Sequence, residues 1–313
     1  MMAATLSSAA GQTIADLRRA VATLQETVDR MTPAATEAVP LASSTPARQL
    51  HGAAAMLAGS VLADSAIEHY RGSFHNSAMY MPLVSATLNL GSSLHGMTAR
   101  ESDSHPVRTC AYIGAIAVGA LGTGFHVYNV AKRPGGFRWE NLFYGAPLGA
   151  PTALALSGLS GLAADRLAAN GKRGRATLLG LPAGRVVATF TSLGLAGTMG
   201  EAGLLHFRGN FQNPAMYLPV TLPGVAAGLL AKAAIAPPGK HTGMATRFWL
   251  ALTSILGFAG VAFHCYGISR HMGGWKNWRQ NLLEGPPVPA PPSFSGLAVA
   301  GLAALSLLQR ERS

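Results

Sequence analysis

One stretch of the sequence occurs twice, as HYRGSFHNSAMYMP at residues 69–82 and as HFRGNFQNPAMYLP at residues 206–219. The second copy lies 137 residues after the first, and nine residue types coincide. Most of the shared types, such as histidine, methionine and tyrosine, are rare in a chain this rich in alanine and glycine. The match therefore predicts an internal duplication whose best-kept part is this segment.

Weaker matches extend the duplication along the chain. The segment FHVY at 125–128 recurs as FHCY at 263–266, and GGF at 135–137 recurs as GGW at 273–275, now 138 residues apart. Both halves carry the two motifs in the same order. We predict an N-terminal segment over 1–46, a first repeat over 47–170 and a second repeat over 171–313.

The composition is typical of a helical membrane protein. Only 12% of the residues are charged and 49% are hydrophobic, whereas about a quarter of the residues in a soluble chain are charged. Long runs of apolar residues are interrupted by small ones, which allow membrane helices to approach closely. The net charge of +11 comes from basic residues in short loops, so we expect no nucleic-acid partner.

The hydrophobic runs predict an all-α integral membrane protein with eight transmembrane helices. Each run is near the length that crosses about 30 Å of hydrocarbon. An even number of helices in each half makes the two four-helix units parallel repeats. The predicted spans are 50–67, 80–97, 109–128, 146–165, 186–205, 217–235, 247–266 and 292–309, and Pro219 and Pro223 are expected to kink the sixth.

An amphipathic helix is predicted ahead of the membrane part. Its apolar positions step by three and four residues, as in a short coiled coil. This helix is expected either to pair with another chain or to dock on a partner or on the membrane domain itself, and residues 33–46 form a flexible linker behind it. The apolar positions are Ile14, Leu17, Val21, Leu24, Val28 and Met31.

The distribution of basic residues predicts the orientation. The side with both termini carries 16 of the 24 lysine and arginine residues, against 8 on the other side. Because cytoplasmic loops are enriched in basic residues, both termini are placed in the cytoplasm of a bacterium with the protein in the inner membrane. The repeated motifs then lie on the periplasmic face, together with nine of the eleven tryptophan and tyrosine residues.

The repeated polar residues are the candidate cofactor site. An acid five residues before a repeated histidine suggests an acid–imidazole pair able to exchange protons with a quinone, and the alternative is an acid that pairs with arginine at a helix end. Two histidines at one depth in each half suggest haem b ligation, and the alternative is histidines that order loops. The candidates are His69, His126, His206, His264, Asp64, Glu201, Arg71 and Arg208.

Two basic, aromatic loops are candidates for partner binding. Arginine and tryptophan are enriched in protein interfaces, and Gly-Gly pairs allow tight turns that present them. The alternative is contact with anionic lipid at the membrane surface. The candidates are Lys132, Arg133, Phe137 and Trp139 in the first half, and Arg270, Trp275 and Trp278 in the second.

No nucleotide-binding, hydrolase or metalloprotease motif is present, so autonomous catalysis has no support. No predicted span carries the deeply buried charges expected of a substrate pathway. In layout, though not in any shared motif, two four-helix units look like the membrane anchors of bacterial respiratory oxidoreductases, including quinone-reactive subunits. We therefore expect a membrane subunit of an electron-transfer complex. The alternatives are a non-redox assembly subunit that binds lipid and a partner protein, and a small-solute transporter.

Overall fold

The computed structural model describes residues 45–99, 105–145, 147–170, 177–236 and 239–311, together with the isolated residues 15, 19, 22, 23 and 26 near the N-terminus. The apolar positions of the predicted N-terminal helix and most of the linker lie outside the described residues. So do Lys172, Arg173 and Arg175 of the basic loop between the two halves.

Within these ranges the chain is almost entirely helical, as predicted. The first half contains α1 (Thr45–Arg71), α2 (Met81–Thr98), α3 (Pro106–Ala131), the short α4 (Trp139–Tyr144) and α5 (Gly149–Asn170). The second contains α6 (Ala183–Arg208), α7 (Leu222–Ile235), α8 (Lys240–Arg270), the short α9 (Trp278–Glu284) and α10 (Pro292–Arg310). A small hairpin of β1 (Thr177–Leu178) and β2 (Leu181–Pro182) joins the halves.

Five helical segments are long and apolar enough to cross a membrane, so the described chain is that of a multi-pass membrane protein. They are α1, α3, α7 with the 3-10 turn before it, α8 and α10. That 3-10 turn, Pro214–Val220, contains Pro219 and is followed by Thr221. The sixth predicted span is therefore interrupted at the place where its prolines remove backbone donors.

Four helices form the centre of the molecule. Helix α1 packs against α5 and α10, and α6 packs against α5 and α10. The other long helices lie outside this group: α2 on α1, α3 on α5, α7 on α6 and α8 on α10. Each half thus contributes its first and fourth long helices to the centre and its second and third to the periphery.

The peripheral helices keep large apolar side chains on the surface. In the most apolar 18-residue segment of each helix, only 17% of the residues of α3 and of α8 are buried. The corresponding share in α10 is 72%. Phe125 on α3 and Phe258 on α8 are among the exposed side chains. Apolar exposure on this scale is unfavourable in water, so these faces are suited to contact with lipid tails.

One close contact between helices occurs in both halves. Gly119 on α3 faces the backbone of Pro151 and Ala155 on α5, and a Cβ atom there would lie 2.5 Å from the Ala155 nitrogen. In the second half Gly257 on α8 faces Pro291 at the start of α10 in the same way. The third and fourth long helices of each half therefore meet at a glycine.

We predict that Gly119→Ala destabilises the protein by about 1–3 kcal/mol, because the new methyl group overpacks the α3–α5 contact. Thermal unfolding in detergent measures this as a lower Tm. Gly114→Ala on the same helix is the matched control, since no atom lies within 4 Å of its added Cβ. A Tm for Gly119→Ala equal to that of the control would contradict the contact.

Candidate functional site

The two copies of the repeated stretch have the same local structure. The His69 Nδ1 atom lies 2.6 Å from the Met79 carbonyl oxygen, and the His206 Nδ1 atom lies 3.0 Å from that of Met216. Because a carbonyl only accepts hydrogen bonds, Nδ1 carries the proton in both rings. Each imidazole thus ties the end of the first helix of its half to the turn that starts the second.

Other shared residues of the stretch also stabilise this turn. The Asn76 side chain accepts a hydrogen bond from the Ala78 backbone N–H, and Phe74 stacks on Tyr80 with 4.5 Å between ring centroids. In the second half Phe211 stacks on Tyr217 at 4.6 Å. The phenylalanines of both copies have a positive φ of 45°, which is uncommon for a residue with a side chain.

The second pair of repeated histidines also bonds to loop carbonyls. His126 Nδ1 donates to the Pro147 carbonyl, and His264 Nδ1 lies 2.8 Å from the Pro287 carbonyl oxygen. All four histidines therefore hold loops in place. Because each ring uses Nδ1 for this hydrogen bond, its Nε2 atom remains for another partner. Nε2 is a nitrogen through which histidine binds metals.

Two asparagines close the Gly-Gly turns that precede the loops with Pro147 and Pro287. The Asn141 side chain donates to the Pro134 and Gly136 carbonyls at 3.0 and 2.8 Å. Asn281 donates in the same way to Met272 and Gly274 at 3.1 and 2.8 Å. The repeated histidines and asparagines thus have structural partners in their own half.

A large cleft lies between the two halves. It opens at the helix ends where the repeated motifs are located. Its volume is about 2200 Å³, and it is lined by Asp64, Glu201, His206 and His264. The tertiary structure therefore brings together both predicted acids and one predicted histidine pair. The other pair, His69 and His126, does not line the cleft but lies close enough for mutual electrostatic interaction.

The two acids have different partners. The Glu201 carboxylate lies close to Gly149 at the start of α5, where a helix terminus favours negative charge. Asp64 instead lies near two other acids, Glu201 and Glu68, whose negative charges repel its own. The hydrogen bond of His69 goes to Met79, so the predicted pairing of Asp64 with His69 does not appear as a hydrogen bond among the described residues.

The predicted arginines lie at the rim of the cleft. Arg71 forms an exposed ion pair with Glu68 at 2.8 Å. The Arg208 guanidinium lies 5.2 Å from the centre of the Tyr144 ring, so α4 of the first half contacts the end of α6 in the second. At the other side Arg279 of α9 donates to the Tyr70 hydroxyl at the end of α1. The short helices therefore bridge the halves above the cleft.

The predicted partner-binding residues are on the surface beside this rim. Phe137, Trp139, Trp275 and Trp278 are all more than half exposed. The basic residues among them lie over neighbouring rings or carbonyls: Lys132 over Tyr128, Arg133 on the Tyr144 carbonyl, and Arg270 on Tyr266. The loops therefore present exposed aromatic rings, and their basic side chains contact Tyr128, Tyr144 and Tyr266.

A buried polar cluster at the opposite end of the first half was missed in the sequence. Arg108 and Asp165 form an ion pair at 2.8 Å, with side chains 6% and 10% exposed. The His51 Nε2 atom lies 3.5 Å from Asp165, and its Nδ1 atom lies 3.1 Å from the Tyr112 hydroxyl. Beside Tyr112, Asn89 is hydrogen-bonded to Ser93 and to Ser157 inside the same bundle. We call these seven residues the buried polar network.

The expectation that no span carries buried charge is therefore wrong. The predicted spans place Arg108 in a loop and Asp165 at the last position of a span, but α3 begins at Pro106 and α5 continues to Asn170. Both side chains consequently lie within packed helices. A comparison of the halves would have found them, because Arg108 and Asp165 correspond to Thr246 and Leu305. Among the described residues no group of three or more histidine, cysteine or acidic side chains has the arrangement of a metal site.

We predict that Glu201→Ala lowers stability by about 1 kcal/mol, because the start of α5 loses the carboxylate that lies beside it. Glu68→Ala is the control, since its exposed ion pair contributes little. The readout is the Tm of the purified protein in detergent. Equal Tm values for the two variants would show that Glu201 does not cap α5.

The protein was compared with known families and structures. No family model matches the chain, and no curated protein and no solved structure shows significant similarity to it. Its function is therefore inferred from its own residues.

Proposed function

We propose that the chain is a membrane subunit of a bacterial electron-transfer complex that binds a quinone in the cleft and docks a periplasmic partner above it. The observation that carries the proposal is the cleft itself, in which Asp64, Glu201, His206 and His264 meet within a mainly apolar helical bundle. Ligand sites of this kind combine apolar walls with a few convergent polar groups.

The proposal includes the membrane arrangement expected from the sequence. The long helices α2, α5 and α6 cross the membrane together with the five apolar segments, which gives eight spans in two parallel four-helix units. The shared loop structures and the shared glycine contact support an origin by duplication. Both termini face the cytoplasm of the inner membrane, and the cleft opens towards the periplasm.

A quinone suits this cleft for chemical reasons. Its headgroup has two carbonyl oxygens that accept hydrogen bonds, and its isoprenoid tail is apolar. Oxidation of a quinol releases two electrons and two protons, so the site needs an electron acceptor and proton acceptors. The carboxylates of Asp64 and Glu201 and the Nε2 atoms of His206 and His264 supply proton acceptors. The electrons pass to the redox protein docked above the cleft.

Haem b is a second candidate ligand. His206 and His264 lie close enough to interact electrostatically, and each has Nδ1 bound to a carbonyl, which leaves Nε2 for iron. The residues present therefore fit bis-imidazole ligation in donor type. When bound, haem would supply one-electron transfer, and these residues would hold and orient it.

We predict that the purified protein retains quinone or haem, and that Glu201→Gln and His206→Ala each lower its content because both groups line the cleft. Quinone is measured in solvent extracts, and haem in a reduced-minus-oxidised spectrum. His75→Ala is the control, since this exposed ring bonds only to the Gly72 carbonyl of its own turn. Wild-type protein with neither cofactor would overturn the redox proposal and favour the assembly subunit.

The exposed aromatic rim supports the docking part of the proposal. Trp275 and Trp278 are 51% and 58% exposed, and truncation of an anchoring tryptophan typically weakens an interface by about 2 kcal/mol or more. We therefore predict that Trp275→Ala with Trp278→Ala removes co-purifying periplasmic proteins, as measured by quantitative mass spectrometry. Phe258→Ala, on the lipid-facing side of α8, is the control. Unchanged co-purification would assign the loops to lipid contact.

A further inference from the structure

The duplication makes two of the contacts between the halves equivalent. Helices α1 and α6 are the first helices of their halves, and α5 and α10 are the fourth, so the contact of α1 with α10 corresponds to that of α6 with α5. Below the cleft both contacts are closed by a leucine against a glycine. Leu57 of α1 meets Gly296 of α10, and Gly194 of α6 meets Leu156 of α5.

Towards the cleft the two contacts differ. The Ser60 hydroxyl of α1 donates to the Pro289 carbonyl before α10 at 2.6 Å, and Ser60 is 7% exposed. In the alignment of the halves, the counterpart of Ser60 is Gly197 and that of Pro289 is Gly149. Gly197 has no side chain to form this bond, and a Cβ atom added to it would meet no atom within 4 Å. The contact of α1 with α10 is therefore closed at this level, whereas that of α6 with α5 is open.

The exposed residues at this level show that the cleft reaches the side of the molecule. Leu193 and Gly197 of α6 and Thr152 of α5 all line the cleft, and all three are exposed, Leu193 to 69%. Ala196 and Gly200 are neighbours of these α6 residues on the helix surface, and they are exposed without lining the cleft. The wall of the cleft thus continues onto the outer surface. We call the gap between Thr152 and the pair Leu193 and Gly197 the side opening.

The side opening lies at the depth of the lipid tails when α6 crosses the membrane as proposed. Gly197 precedes the end of α6 at Arg208 by eleven residues, which is about 17 Å along the helix, and the hydrocarbon layer is about 30 Å thick. Leu193, Gly197 and Glu201 are spaced by four residues, so they share one face of α6. A molecule that enters from the bilayer therefore passes apolar walls and reaches the Glu201 carboxylate one turn further along.

We propose that the cleft takes its ligand from the bilayer through the side opening, and that this ligand has a hydrogen-bonding headgroup and a long apolar tail. The headgroup lies near Glu201, and the tail passes between α5 and α6, where its burial against apolar walls is favourable. This inference rests on the proposed function, since an isoprenoid quinone is a ligand of this kind. A water-soluble ligand would enter from the periplasmic end and would not need an opening at the depth of the lipid tails.

The side opening is tested by filling it with a tryptophan. The full-length protein and its variants are reconstituted in phosphatidylcholine vesicles that contain ubiquinone with a decaprenyl tail, and bound quinone is measured in solvent extracts of the re-isolated protein. Gly197→Trp is expected to lower bound quinone by about 10-fold, which corresponds to the lost burial of roughly two CH₂ groups of the tail. Gly200→Trp is the matched control and is expected to change nothing. Both glycines have open space at an added Cβ, but only Gly197 lines the cleft.

Equal quinone binding by wild type, Gly197→Trp and Gly200→Trp would overturn the side opening and leave the quinone site intact. Equal Tm values show that a loss of quinone is not a loss of structure, and the smaller Gly197→Leu replaces Gly197→Trp if the latter lowers the Tm.

A wild type that binds no quinone would overturn the quinone proposal instead, and the side opening is then decided without quinone. The vesicles contain a phospholipid with a diazirine in its acyl chain, and crosslinks formed on illumination are located by mass spectrometry. Wild type is expected to be crosslinked at Glu201 inside the cleft, and Gly197→Trp is expected to lose this crosslink. No crosslink at Glu201 in the wild type would overturn the side opening.

Discussion

Close contact between the four central helices is the constraint on which the rest of the structure depends. Gly194 of α6 lies against Leu156 of α5 and Leu297 of α10, and Gly296 of α10 lies against Leu57 of α1. In a lipid environment helices associate mainly through packing and hydrogen bonds. The small residues that dominate the composition are therefore what allows a stable centre to form. The peripheral helices can then expose their apolar faces to lipid.

The same packing explains the position of the cleft. The central helices pack against one another, the cleft lies between their ends with the repeated motifs, and the short helices α4 and α9 bridge the halves there. Asp64 and Glu201 lie where the helices part, so both carboxylates face the space between the halves. Burial of an acid is tolerable there because Glu201 lies beside the start of α5 and the cleft is open at one end.

The two halves are similar at one end of the molecule and different at the other. At the cleft end they share loop-closing histidines, asparagines and stacked rings, because both must connect helices through the same tight turn. At the opposite end they differ, because the positions of the buried polar network are occupied in the second half by apolar residues and one threonine, Thr246. The shared residues of the loops therefore report the requirements of the fold.

The sequence alone determined the helices, the repeated loops and the side of the membrane part on which these loops meet. These features depend on local composition and on residues close together in the chain, such as His69 and Met79. It did not reveal that His206 and His264 share a cleft with Asp64 while His69 and His126 do not. Only the tertiary structure decided this, and only it brought His51, Tyr112 and Asp165 together from three helices. Their spacing along the chain matches no motif, because helix packing, which joins distant residues, sets their distances.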